Sequence, residues 1–459
     1  MISCTGQITK TSRKQSLWSY RLVVIFLFFI GQATGLHAQA LQLSDKEMLG
    51  KTLFFDKNLS LNGNQACVNC HSPETGWTGD KSTINANGAV YEGSITQRFG
   101  NRKPPSVAYA TPSPVLHYIK EDGEILFVGG NFWDGRATGE KLGNPAADQA
   151  QGPFLNPMEQ GLADSACVVY KACSVYPALI EKVWPGSCNV QWPTDSEKTC
   201  ASENGQLKLD NKLRKKVNLA YDNFGLSIAA YEASAEVNQY TSKFDYYLAG
   251  LVKLSATEQQ GFELFKGKGK CADCHVLDNG PNGEPPLFTD FTFDNLGIPR
   301  NPDNPWYNMP GKHNPEGKNW LDHGLGKFLS SRDDYRKFSD DNQGKQKVPT
   351  VRNVGKRPSR DFIKAYMHNG YFKTLKGLVH FYNTRDTKPR CKDPFTREAD
   401  ALKQNCWPEP QITANLNTTE LGNLGLSENE EEAIVTFMQI LSDGYQPPAG
   451  VKRLELGPR

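Results

Sequence analysis

Two copies of Cys-x-x-Cys-His, Cys67-Val-Asn-Cys70-His71 and Cys271-Ala-Asp-Cys274-His275, carry the most definite chemistry in the chain. Two thiols three residues apart on one turn can each add to a vinyl group of the same porphyrin, and the His that follows presents its imidazole to the iron. With eleven cysteines and eight histidines in 459 residues, chance supplies far less than one such match. The pair predicts two covalently bound haem c groups, held by Cys67, Cys70, Cys271 and Cys274, with His71 and His275 as iron ligands. Zinc shared by the two cysteine pairs, or a disulfide within each pair, competes for the same residues, and a His directly after both pairs favours haem.

The segments that must position these motifs repeat as well. Leu43-Ser-Asp-Lys-Glu47-Met-Leu-Gly50-Lys-Thr-Leu53-Phe54 matches Leu254-Ser-Ala-Thr-Glu258-Gln-Gln-Gly261-Phe-Glu-Leu264-Phe265 position for position. Each begins with Ser-x-x-Glu, a capping box that satisfies the first free amides of a helix. Each haem motif should therefore follow a capped helix in a domain of its own, 39–250 for the first and 251–459 for the second. A third box, Ser427-Glu-Asn-Glu430, opens the spacing Ala433, Ile434, Phe437, Met438, Leu441, one apolar helix face. It predicts a closing helix packed against a haem. Residues 213–248 read as helical, and 301–347, rich in Asn, Pro, Lys and Asp, read as a long surface loop.

Apolar residues other than glycine make up 38% of the chain, which excludes disorder for most of its length. Lys and Arg number 52 against 50 Asp and Glu, without the basic excess that phosphate contacts require, so a nucleic-acid partner is excluded. The apolar run Leu22-Val-Val-Ile-Phe-Leu-Phe-Phe-Ile30 follows Lys10, Arg13, Lys14 and Arg21 and precedes Leu36-His37-Ala38. This pattern predicts a secretory signal peptide over 1–38, since the run is about half the roughly 20 residues a membrane span needs. No cysteine stands directly after the cut, so no membrane anchor is expected after cleavage. Outside the haem motifs the mature chain keeps Cys167, Cys173, Cys188, Cys200, Cys391 and Cys406, an even set that predicts three disulfides in an oxidising compartment. Cys391 and Cys406 suit a local pair, and the other four leave three connectivities open.

Further motifs accompany the haem sites: Arg102-Lys-Pro-Pro-Ser106, Phe132-Trp-Asp-Gly-Arg-Ala137, Gln149-Ala-x-x-Pro153, Asn156-Pro-x-Glu159, Leu287-Phe-Thr-Asp-Phe291, Asn295-Leu-Gly-Ile-Pro299, Lys347-Val-Pro-Thr-Val-Arg-Asn-Val354 and Tyr366-Met-His-Asn-Gly370. In this order they resemble the bacterial dihaem cytochrome c peroxidase family, including its MauG branch, over nearly the whole mature chain. The resemblance implies a mostly α fold of two cytochrome c-like haem domains in tandem with long loops. It further implies an N-terminal haem that reacts with peroxide and a C-terminal haem that relays electrons. It puts Trp133 between the two haems and makes Gln149 and Glu159 the pair above the peroxide-reactive iron. The chemistry asks for such a carboxyl on its own account, because splitting the O–O bond needs a proton moved from the inner to the outer oxygen. Glu159 can take and return it, and Gln149 can only orient.

The remaining iron ligands separate the branches. In the ordinary peroxidase branch a His soon after the first haem motif blocks that iron, whereas here none occurs between His71 and His117. The first haem should be open, with His117 read as a pocket or core residue and, as the alternative, a ligand. For the second haem the family's distal ligand lies fourteen residues past the His of Tyr-x-His-x-Gly, which from His368 is Tyr382. Leu375, Leu378, Val379 and Tyr382 also share one helix face, with His380 turned away. Tyr stands there in the MauG branch and Met in the other; the alternative is a core Tyr382 with His380 or Met367 as ligand. The family also implies one Ca2+ between the domains, held by an Asn side chain and carbonyls, although the aligned position is Lys103, with Asn101 two residues earlier.

The expected protein is a periplasmic enzyme, or one associated with the cell surface, and a monomer or homodimer. It would reduce hydrogen peroxide with electrons from a small cytochrome c or copper protein. The alternatives are MauG-like oxidation of Trp or Tyr residues in a partner protein and, from another class, a dihaem electron-transfer cytochrome without peroxidase activity.

Overall fold

The computed structural model describes residues 42–121, 123–280 and 283–457, so the proposed signal segment lies outside the described residues. Helices dominate. In the N-terminal half they include α1 (Asp45–Phe55), α2 (Pro145–Leu155), α3 (Ser165–Val175) and α4 (Asn211–Ala233). After α5 (Lys243–Leu248) come α6 (Ala256–Lys266), α7 (Leu375–Thr384) and α8 (Glu428–Gln439). All three capping boxes form, with Ser44, Ser255 and Ser427 each accepting from the amide of the Glu three residues on.

The sequence repeat is a repeat of packing. Gly50 lets α1 cross α4 so closely that a Cβ there would lie 1.9 Å from the Ser227 carbonyl oxygen, and Gly261 lets α6 cross α8 with the same 1.9 Å to Ala433 O. Around the first crossing one hydrophobic core gathers Leu53, Phe54, Trp77, Phe154, Phe224 and Tyr231; around the second another gathers Phe244, Phe265, Phe372, Phe381, Trp407 and Phe437. Two short antiparallel pairs complete the regular structure, β1 (His117–Glu121) with β2 (Glu124–Val128) and β3 (Phe293–Asp294) with β4 (Gln346–Lys347).

Two sequence expectations need correcting. The helix expected over 213–248 is α4 and α5 with a break between, where Asn238 Nδ2 donates to the Glu232 carbonyl and Ser242 starts a new capping box. The stretch 301–347 is more than a surface loop. Its helical turn Gly324–Ser330 buries Leu325 and Leu329 against Leu116, Phe127 and Phe293, and its end forms β4. Disulfides join Cys391 to Cys406 as expected, and among the three open connectivities the pairs are Cys167–Cys200 and Cys173–Cys188. No helix among the described residues is long and apolar enough to cross a membrane.

Candidate active site

In the C-terminal half a cavity of about 1420 Å³ of atom-free space, partly open to solvent, is lined by Cys271, Cys274, His275 and Tyr382. Both thiols are free and half-buried. His275 Nδ1–H donates to the Phe288 carbonyl at 2.9 Å, which leaves Nε2 with the free lone pair. Burial holds this imidazole below its ordinary pKa, so it is neutral, the form an iron ligand requires. On α7, Leu378, Val379 and Tyr382 face the cavity, while His380 turns to Glu431, 2.9 Å from its Nδ1. Burial pushes the Tyr382 phenol up, followed by the nearby Cys274 and Cys271. Met367 and His368 line the same cavity. Gln346, Gln411 and His368 Nε2 present buried polar atoms to it that have no hydrogen-bond partner. Apolar walls, two thiols, one neutral imidazole and orphaned polar groups fit a covalently attached porphyrin, whose propionates would occupy those orphans.

The N-terminal cavity has two lobes, of about 670 and 430 Å³, which share His71, Val107, Gln149 and Glu232. His71 repeats the arrangement of His275. Its Nδ1 lies 3.2 Å from the Trp77 carbonyl, and burial lowers the ring's pKa to about 4. Cys67 and Cys70 line the smaller lobe, together with the orphaned Gln65 and Gln160 carbonyl oxygens, so this cavity fits the same group. Gln149, on α2, lines both lobes. Pro153 lies inside α2, which ends at Leu155, and the turn beyond places Glu159, whose Oε1 accepts from Asn156 Nδ2 at 2.6 Å. Burial raises the Glu159 carboxyl above its ordinary range, with Arg136 and the Asn156 bond pulling the other way.

His117 does not fulfil its expected place as a pocket or core residue. It lies on β1, every residue of which is exposed, bonds the Val115 carbonyl at 2.8 Å, and lines neither cavity. Sequence reasoning missed Glu232, a buried carboxyl on α4 whose pKa burial alone raises to about 8. The sequence shows only an acid on an apolar helix face: Glu232 stands four residues after Ile228, on the face that also carries Val217, Phe224 and Tyr231.

Trp133 joins the two halves. It lines the C-terminal cavity and the larger N-terminal lobe, and its Nε1 donates to the Lys103 carbonyl at 2.8 Å. The same two cavities share Lys347, Val348, Pro349 and Thr350. The turn that carries Trp133 is clamped by Arg102, which donates to Asp134 at 2.6 Å and to both oxygens of Asp322. That turn has a twin. The bridges Asn131↔Ala137 and Tyr366↔Phe372, left-handed Phe132 and Met367, and left-handed Gly135 and Gly370 put Trp133 and His368 at matching positions. Their rings meet edge to face at 6.3 Å.

The expected calcium position does not fit calcium. Lys103 is buried there, its ammonium donating to Thr78 Oγ1 and the Pro104 carbonyl, both at 2.9 Å. A second buried ammonium, Lys364, donates to the carbonyls of Thr75, Asn353 and Lys356. Carbonyls already bonded to amines are not free for a divalent ion. Asn101 is engaged through its backbone carbonyl by Asn304.

The chain is similar to known proteins in sequence and in fold. The family profile for di-haem cytochrome c peroxidase matches residues 44–253. The chain is 30% identical over 403 residues to methylamine utilization protein MauG of Paracoccus denitrificans, covering 87% of this chain and 89% of that protein. It is 29% identical over 252 residues to cytochrome c551 peroxidase of Pseudomonas aeruginosa, covering 55% of each. Among solved structures, the diheme peroxidase BthA of Burkholderia thailandensis shares the fold with a TM-score of 0.63 at 24% identity, over 91% of this chain and 92% of that one.

Proposed function

From a chain that belongs to the di-haem cytochrome c peroxidase family, whose members are oxidoreductases acting on peroxide, we propose a periplasmic enzyme that reduces hydrogen peroxide in its N-terminal half, 39–250. Its electrons would enter through the C-terminal half, 251–459, from a small cytochrome c or copper protein. The observation that carries this reading is the N-terminal cavity, where Glu159 and Gln149 stand with His71, the only histidine among the described residues lining it.

When bound, haem supplies the redox-active iron at each site, attached through Cys67 and Cys70 or Cys271 and Cys274 and ligated by His71 or His275. Gln149 orients peroxide through its amide. The Glu159 carboxylate takes the proton from one peroxide oxygen and returns it to the other, and burial keeps its proton affinity high enough for both steps. Asn156 fixes the carboxylate while it works. Trp133, the aromatic side chain that lines both cavities, is the relay between them. The three disulfides suit the oxidising compartment.

Tyr382 favours a second reading. A phenol in the C-terminal cavity is a donor able to support higher oxidation of the iron, as MauG-like oxidation of Trp or Tyr in a partner protein would require. A simple electron-transfer cytochrome would have no use for Glu159. The test is to mix the as-isolated, unreduced protein with one equivalent of peroxide. Immediate oxidation, with one high-spin and one low-spin ferric signal at rest, is the expected result. Reactivity that appears only after one-electron reduction, from two low-spin signals, would overturn the open-site reading. Turnover of reduced cytochrome c, compared with mass gain or loss in candidate partner proteins, separates the two functions.

A further inference from the structure

The two glycine crossings put α4 and α8 in register. Gly50 faces Ser227 and Tyr231, and Gly261 faces Ala433 and Phe437. In that register Ile228 corresponds to Ile434, and each lines the cavity of its own half. One turn further along, the counterpart of Met438 is Glu232. The C-terminal cavity has a thioether at this position, while the N-terminal cavity has a carboxyl. Glu232 is 3% exposed, lines both N-terminal lobes, and its carboxyl has no hydrogen-bond or ion-pair partner among the described residues. A carboxylate buried without a partner is strongly disfavoured, so the group there carries its proton. A helix-packing position needs no acid, as Met438 demonstrates.

We propose that Glu232 is a second acid of the N-terminal cavity, donating a proton to the peroxide oxygen that becomes the second water. The inference rests on the peroxide reading above. Reduction of one hydrogen peroxide breaks one O–O bond, takes two electrons from the donor protein and two protons, and yields two waters. Glu159 moves peroxide's own proton from one oxygen to the other and contributes none overall. Both added protons must come from elsewhere. The O–H of Glu232 supplies one and solvent water supplies the other, and the Glu232 carboxylate regains its proton from solvent before the next cycle.

The test uses the holoprotein with Glu232→Gln and Glu232→Asp, each confirmed by intact mass to carry two haems. Infrared spectra of the resting protein near neutral pH should contain the carbonyl stretch of a protonated carboxyl that shifts in heavy water and is absent from Glu232→Gln. In stopped flow with hydrogen peroxide and reduced cytochrome c, Glu232→Gln should be oxidised by peroxide at the unsubstituted rate. Its return to the resting state should slow about 10²-fold or more, the usual worth of a lost acid, with most of the rate restored by Glu232→Asp. A carboxyl band that persists in Glu232→Gln, an unchanged return, or oxidation slowed as much as the return would each overturn the proposal. If the unsubstituted protein ignores peroxide, the reading on which the proposal rests falls with it.

Discussion

Glu159 holds its role through opposed influences: burial raises its proton affinity, while Arg136 and Asn156 lower it. Glu159→Gln should keep both haems and slow oxidation by peroxide about 10²–10⁴-fold, read by stopped flow; an unchanged rate would assign the proton relay elsewhere. Glu232 makes a separate prediction about stability. Its folded pKa of about 8 stands above the ordinary 4.5, so between those values the folded chain holds one proton more than the unfolded chain. The stabilisation it contributes is complete below about 4.5 and is lost as pH rises through about 8. The melting temperature of Glu232→Gln should therefore fall less than that of the unsubstituted protein over this range, and parallel curves would mean that the carboxyl is already ionised. These two acids also mark what the sequence makes legible. Glu159 stands out because its distance from Gln149 and Pro153 is a motif, whereas Glu232 belongs to no motif, and only the pairing of α4 with α1 shows that its helix face closes a cavity.

Local signals at the helices were the most readable part of the fold. Ser44, Ser255 and Ser427 satisfy amides three residues away, so a short stretch of sequence is enough to find all three helix starts. The side of α7 that carries Tyr382 follows likewise from helical periodicity. The turn Gly324–Ser330 was hidden because Leu325 and Leu329 acquire a reason to fold only when Leu116 and Phe127 arrive from far earlier in the chain. β1 gave no warning either: with all its side chains exposed, it has no buried face to show as alternation. The crossings at Gly50 and Gly261 predict matched weaknesses. Gly261→Ala would drive a methyl into the Ala433 carbonyl, and the forced separation of α6 from α8 should destabilise the protein by about 1–3 kcal/mol. Thermal melting should record the loss, and mass spectrometry should find haem missing more from Cys271 and Cys274 than from Cys67 and Cys70. Equal loss from both pairs would mean that the crossing serves the whole chain rather than its own half.

For the molecule as a whole, intact mass should exceed that of the mature polypeptide by two haems, and Cys274→Ser should weaken only the second attachment; one haem or bound zinc would refute the architecture. Disulfide pairing was only partly legible for a physical reason. Cys391 and Cys406 are near neighbours in the chain, but the choice among Cys167, Cys173, Cys188 and Cys200 depends on how α3 packs against the segments that follow it. The wall at 347–350 has a different kind of consequence. These residues belong to the C-terminal half, yet they line the N-terminal cavity as well as their own. During synthesis Cys67, Cys70 and His71 emerge more than two hundred residues before this wall exists. The wall of the first cavity is thus incomplete until the second half of the chain has been delivered.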